Sequence, residues 1–279
     1  MTQPAAEQDP LIGKSLRSYR IQESIGTGRW GTIYRAFQSS MNRTVAVRVL
    51  SREIAALPGK AGEFLENSRT EAQLIHPHLV ILYEAGQADG VSFCAMEYMD
   101  GPSLKEFLRS GAEVDEHRLL QTVIGVARAL DFLWQRQVQH QPPLDRNVLT
   151  TTDGTVKLTN IEPVEAPASQ SQQEDLLKLG LMMAAIANDI APVSRAVGKF
   201  VERMLGAAGR APFASLTEAA NAAEALDRKL FAPARQSRLA AEMARPRRST
   251  SLRIAIIGVA ALLLLVAILG WFWWRSLSH

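Results

Sequence analysis

The segment Gly26-Thr27-Gly28-Arg29-Trp30-Gly31 constrains this chain more than any other, because of what flanks it. Glycines at this spacing let backbone amides approach phosphate oxygens closely, and the same G-x-G-x-x-G pattern also opens the helix of a dinucleotide-binding βαβ unit. Here the residues that follow, Thr32-Ile33-Tyr34-Arg35-Ala36-Phe37, are β-branched and aromatic, and residues 19–25 before the loop read as a strand. The glycines therefore lie between two strands. A Rossmann unit, which must run from strand into helix, is excluded.

Around this loop, residues 19 to about 100 alternate short β-rich runs with turn signals. Strands are predicted at 19–25, 32–37, 44–50, near 79–83 and at 91–96, with one polar helix from about 61 to 75 closed by His76-Pro77. Helical spacing takes over from Leu104, with helices predicted at 119–137, 173–187, 200–205 and 216–226. Asp153-Gly154 supplies a hairpin turn between strands at 147–149 and 156–158. The fold class is α+β. A β-rich lobe over 19–100 is followed by an α-helical lobe over 101–228, with residues 1–18 as an N-terminal extension. An apolar fraction of 47% and a charged fraction of 21% over 279 residues allow a full-sized core and argue against disorder.

The formal charge of +3 is unevenly spread. Between Arg228 and Arg253 there are eight basic residues against Glu242 alone. Residues 254–274 are then uncharged and apolar, long enough as a helix to span about 30 Å, one bilayer core. The run ends in Trp271, Phe272, Trp273 and Trp274, rings suited to the headgroup interface, and only Arg275 lies beyond it among basic side chains. These features predict a basic juxtamembrane linker at 229–253, a transmembrane helix at 254–274 and a short non-cytoplasmic tail at 275–279. The positive-inside rule then places the N-terminal domain in the cytoplasm as part of a single-pass membrane protein. The basic stretch is assigned to the membrane surface and not to nucleic acid. Residues 1–10 lack the basic-then-apolar pattern of a secretory signal. The single cysteine, Cys94, lies in an apolar run and is expected as a buried core thiol.

Five further segments follow the glycine loop in order. Val45-Ala46-Val47-Arg48 comes first, then Met96-Glu97-Tyr98-Met99-Asp100-Gly101, then His140-Gln141-Pro142-Pro143-Leu144-Asp145-Arg146-Asn147, then Asn160-Ile161-Glu162. Asp175-Leu176-Leu177-Lys178-Leu179-Gly180 closes the series. In this order and spacing the chain resembles the bacterial eukaryotic-type serine/threonine protein kinases, with their G-x-G-x-x-G-x-V, V-A-I-K, hinge, H-R-D-x-x-x-x-N, D-F-G and S-D-I-Y-S-L-G motifs. The resemblance covers residues 19–228 and implies a bilobal protein-kinase-like fold. It also implies a nucleotide site formed by Ile25, Gly26, Gly28, Gly31, Ile33, Ala46, Arg48, Met96, Glu97, Met99, Asn147 and Leu149. Met96 falls close to the family's gatekeeper, and Leu149 helps form the floor of the adenine pocket.

Departures from the family pattern fall on the reaction chemistry. Arg48 replaces the phosphate-binding lysine, and counting back nine residues from His76 puts Asn67 where the helix-borne glutamate belongs. Glu71, one turn further along the same helix face, is expected to pair with Arg48 instead. Pro142 can accept no proton and Asn160 offers no anionic metal ligand, so no catalytic residue and no metal ligand is assigned. Asp145 is the nearby substitute base, but it stands two residues before Asn147 instead of five, where a turn role suits it better. Glu162 could recruit a metal or remain a solvated loop acid. His140 matches a structural histidine. Asp175 matches the anchor of the catalytic loop, or is an acid favoured by the first turn of its helix.

From Asn160 to Asp175 is only fifteen residues, too few for an activation segment, peptide-binding loop and A-P-E motif. Glu165-Ala166-Pro167 has only the composition of a reversed fragment, and Arg210 would lack its acidic partner. The expectation is a membrane-anchored pseudokinase that binds ATP or ADP weakly, with no requirement for Mg2+, and serves a cytoplasmic or membrane signalling partner as scaffold or allosteric regulator. Two other readings are an unconventional active kinase using Asp145 or Glu162, and a membrane adaptor without nucleotide.

Overall fold

A computed structural model describes residues 9–111, 115–138, 145–151, 154–159, 161, 171–189, 193–207, 209 and 211–244, with side chains as far as 232. The chain divides into two compact units, residues 1–229 and 230–279. In the first unit, six antiparallel strands form one sheet: β1 (Ser15–Leu16), β2 (Tyr19–Gly28), β3 (Gly31–Gln38), β4 (Arg43–Leu50), β5 (Leu82–Ala88) and β6 (Val91–Glu97), in the order β1-β2-β3-β4-β6-β5. Two helices, α1 (Arg52–Ala55) and α2 (Lys60–Ala72), interrupt it between β4 and β5.

Strand β4 is buried on both faces from Val45 to Leu50, as its valine, alanine and leucine side chains require, with Arg48 the one charge among them. One face sends Val45, Val47 and Val49 into a cluster with Leu16, Tyr19, Ile21, Tyr34 and Phe93. The other sends Ala46 and Leu50 into a second cluster with Trp30, Phe64, Val80, Leu82, Cys94 and Met96. Each fully buried side chain of this size contributes about 1.5–3 kcal/mol of transfer free energy. The β5–β6 hairpin closes through Asp89 and Gly90, both with positive φ (50° and 76°), the Asp-Gly turn that matches strand twist.

Beyond β6 come α3 (Leu104–Arg109), α4 (Glu116–Gln135), the short hairpin β7 (Val148–Thr150) and β8 (Val156–Leu158), then α5 (Gln172–Asp189), α6 (Arg195–Met204) and α7 (Leu216–Ala244). Ser103 and Glu106 form a capping box at the start of α3, and Asp115 caps α4 by accepting from the Arg118 amide at 2.7 Å. Helix α4 buries Leu119, Leu120, Val123, Val126, Leu130 and Leu133 along one face and packs against α5 and β8. The lobes are joined by main-chain bonds: Val80 N–H donates to Leu158 O at 3.0 Å, and Leu158 N–H to His78 O at 2.9 Å.

The elements differ from the sequence expectations at three places. The strand expected near 79–83 runs instead from Leu82 to Ala88, because Leu79 forms only an isolated bridge to Leu158 and the pairing with β6 begins at Leu82. Helix α1 was not foreseen; Ser51 caps it by accepting from the Ile54 amide. The helix expected at 216–226 extends as α7 to Ala244, since the alanine, arginine, leucine and glutamine content beyond Leu226 favours helix despite Pro233. The apolar run at 254–274 lies outside the described residues, and among the described residues no helix is long and apolar enough to cross a membrane.

Candidate nucleotide cleft

The register of the sheet lines up the residues that the glycine-loop reading selected. Gly26 pairs with Ile33 and Gly28 with Gly31, so the loop is the tip of the β2–β3 hairpin. Across β3, β4 and β6, Ile33 faces Arg48, which faces Cys94; Arg35 faces Ala46, which faces Met96. Directly opposed residues point to one side of the sheet. Ala46, Met96 and Met99 are buried in the second cluster, with Ile33 and Leu149 packed against it. Ile25, Gly26 and Gly28 are exposed. Asn147 is buried in a short turn before β7, its carbonyl accepting from the Thr159 amide at 2.9 Å.

Arg48 and Glu71 form an ion pair, Nη1 to Oε2 at 3.5 Å, with both side chains about 5% exposed. Phe64, Ser68 and Glu71 are the buried face of α2, so the acid sits on the stripe that packs against the sheet. The family's lysine–glutamate contact is thus present in substituted form, one helical turn closer to His76 than its usual spacing. The expected partner is found, and the pair is buried. Cys94 lies beside it. Burial pushes the Cys94 thiol up to about 11, with the Arg48 cation opposing, so it stays protonated and inert.

Glu97 ends β6, and its side chain is tied into the sheet and β8. Lys157 Nζ donates to both of its carboxylate oxygens at 2.7 Å, and the Ile81 amide donates at 3.2 Å. Sequence reading did not single out Lys157; its only signal was a cation in β8, a strand otherwise buried at Val156 and Leu158. Trp30 was also missed. Although at the loop tip, it is 4% exposed and packs edge-on against Phe64 of α2. An aromatic residue inside a glycine turn was the available signal.

Asp145 is half-buried, and its carboxylate accepts from the Arg146 amide at 2.8 Å, a contact within its own turn. Asp175 is fully buried at the start of α5 and accepts from the Trp134 indole N–H at 2.7 Å. Pro142, Asn160, His140, Glu162 and Arg210 lie outside the described residues. Among the described residues, no group of His, Cys, Asp and Glu is arranged to hold a metal ion. A cavity of about 220 Å³ lies away from this cleft, lined by His76, Arg128, Asp131, Phe132, Gln135 and Asn221, with Thr217 and Ala220. Burial lowers the His76 pKa to about 4, with His78, Arg128 and Arg136 adding to the shift.

Comparison with known proteins places these features in context. The family model for protein tyrosine and serine/threonine kinases matches residues 19–178. Serine/threonine-protein kinase PrkC of Bacillus subtilis is 30% identical over 155 residues, 54% of this chain and 23% of that protein. Serine/threonine-protein kinase PknA of Mycobacterium tuberculosis is 26% identical over 216 residues, 74% of this chain and 50% of that protein. The chain thus spans half or less of the length of these relatives. The crystal structure of the Mycobacterium tuberculosis PknI kinase domain superposes with a TM-score of 0.58 at 23% identity, covering 76% of this chain and 97% of that one, a likeness of fold.

Proposed function

Because the chain belongs to the protein tyrosine and serine/threonine kinase family, a family that uses ATP, we propose that it is a pseudokinase that keeps a weak ATP- or ADP-binding cleft. Its role is that of a signalling scaffold or allosteric regulator of a partner protein, held at the membrane by residues 254–274. The observation that carries this reading is the short path between β8 and α5. β8 ends at Leu158 and α5 begins at Gln172. Into residues 159–171 the chain must fit everything that a transferring kinase uses to hold its metal and present a peptide. Asn160 supplies no carboxylate there, and Pro142 supplies no base.

The rebuilt Arg48–Glu71 pair supports retention of a defined N-lobe without the transfer chemistry. Phosphoryl transfer relies on positioning by metal ions and on an aspartate that orients the attacking hydroxyl, and both assignments are empty in this sequence. Nucleotide binding then depends little on Mg2+. Incubation of the full chain in detergent with radiolabelled ATP, Mg2+ or Mn2+ and generic protein substrates is expected to give no labelled product. Transfer that disappears on Asp145→Asn replacement would establish an unconventional active kinase instead. A thermal shift with millimolar nucleotide separates the pseudokinase from an adaptor without nucleotide; ligand at 100 times its dissociation constant stabilises by about 2.7 kcal/mol.

A further inference from the structure

Trp30 is buried while residues 22–29, the end of β2 and the turn leading to it, are exposed. Several contacts hold it. Its ring meets Phe64 edge-on, centroids 5.8 Å apart and planes at 62°. Its carbonyl accepts from the Ser51 amide at 2.8 Å. The cations of Arg29 and Lys60 lie 5.4 and 5.9 Å from the ring centre. Gly31 makes the inward turn feasible: its φ is +146°, and a Cβ there would come within 2.2 Å of the Val49 carbonyl oxygen.

Strand register orders the side of the sheet that faces α2. Gly31 stands opposite Leu50, Ile33 opposite Arg48, and Arg35 opposite Ala46. Trp30 therefore occupies one end, Arg48 the middle, and Arg35 the hinge end, where its guanidinium lies 5.6 Å from the Tyr98 ring centre. The two ends differ in what they offer. At the hinge end the Arg35 Nε has no hydrogen-bond partner among the described residues, while Nη1 of the same guanidinium is held by Glu23 at 3.0 Å. At the loop end the Trp30 indole is buried against Phe64 of α2, and in the middle Arg48 is already matched to Glu71.

We infer that Trp30 sets the ligand class of this cleft: the indole occupies the end that the glycine loop and Arg48 would offer to distal phosphates, so the site takes a nucleoside and gains nothing from a triphosphate. The inference rests on the nucleotide-cleft reading above and narrows it. A triphosphate extended from the loop towards Arg48 would meet the indole, and displacing that ring exposes a large apolar surface and breaks its edge-to-face contact. A nucleoside leaves the indole in place and uses the hinge end, bounded by Ala46, Met96, Met99 and Leu149.

The test is calorimetric titration of the full chain in detergent with adenosine, ADP and ATP. In the native protein the three dissociation constants are expected within about threefold of one another, and Trp30→Gly should tighten ATP at least about tenfold relative to adenosine. Phe64→Leu removes the ring against which the indole docks while leaving the loop sequence intact, and should move the ratio in the same direction. ATP binding about tenfold tighter than adenosine in the native protein would overturn the inference. An unchanged ratio in both variants, with cooperative melts, would also do so while leaving nucleotide binding intact. If no ligand binds any of the three proteins, the nucleotide cleft itself is refuted, and the role of Trp30 with it.

Discussion

Arg48 of β4 and Glu71 of α2 face each other at 3.5 Å across the sheet–helix interface, both almost entirely out of water. A buried pair of this kind holds position more than it adds net stability, because desolvation opposes the Coulomb attraction. Breaking it is another matter, since the remaining charge is left in a poorly solvated site.

Arg48→Ala or Glu71→Ala is therefore expected to destabilise the fold by about 3–5 kcal/mol, read as a lower midpoint in urea unfolding. The double replacement Arg48→Met, Glu71→Leu should cost much less than the sum of the single changes. Single variants within 1 kcal/mol of the native protein, on the order of a surface pair, would show that the two charges are solvated in solution.

Trp134→Phe should cost about 1–3 kcal/mol, because it removes an indole donor from the fully buried Asp175 carboxylate. Asp175→Asn keeps the shape and can still accept from the indole, so it should cost less. Thermal melts of the two variants distinguish them. Equal melting temperatures for Trp134→Phe and the native protein would deny the bond an energetic role.

The His76 ring accepts from the His78 amide at 3.2 Å through Nδ1 and lies against Phe132 at 4.8 Å between centroids. Its pKa falls from 6.5 to about 4 on folding, chiefly by burial. Between those values the unfolded chain binds more protons than the folded one, so stability declines as pH drops from 6.5 towards 4. The loss reaches about 1–2 kcal/mol, the ring being partly solvated. Comparing urea midpoints at pH 7 and pH 4.5 with those of His76→Phe checks this; an identical pH response in the variant would assign the loss elsewhere.

Removing residues 254–279 is expected to release the remaining chain from membranes into the soluble fraction without lowering its melting temperature. Fractionation after carbonate washing reads the first outcome. Persistence of the truncated chain in the membrane pellet would show that another segment anchors it.

Much of the fold was legible before any coordinates. The β-branched run after the glycine loop distinguished a hairpin from a Rossmann turn, and β2–β3 pairing from Gly28 and Gly31 outward agrees with it. The long apolar stripe of α4 was readable because its period is local. Glu71 as the partner of Arg48 was also within reach, since one helical turn keeps a residue on the same face. Less legible was the strand Leu82–Ala88, whose Ala85-Gly86-Gln87-Ala88 carries weak β signals and pairs because β6 is beside it.

What the sequence by itself determined is the α+β bilobal class and the position of the glycine loop, because each depends on residue type at short spacing. Tertiary structure alone decided the rest. The burial of Trp30 depends on Phe64, thirty-four positions away in the chain. The clamp on Glu97 comes from Lys157, sixty positions away. The depth of the Arg48–Glu71 pair depends on how closely α2 approaches the sheet. The physical reason is common to all three: burial and electrostatic environment are set by residues brought together through chain reversal, and local pattern carries no record of that distance.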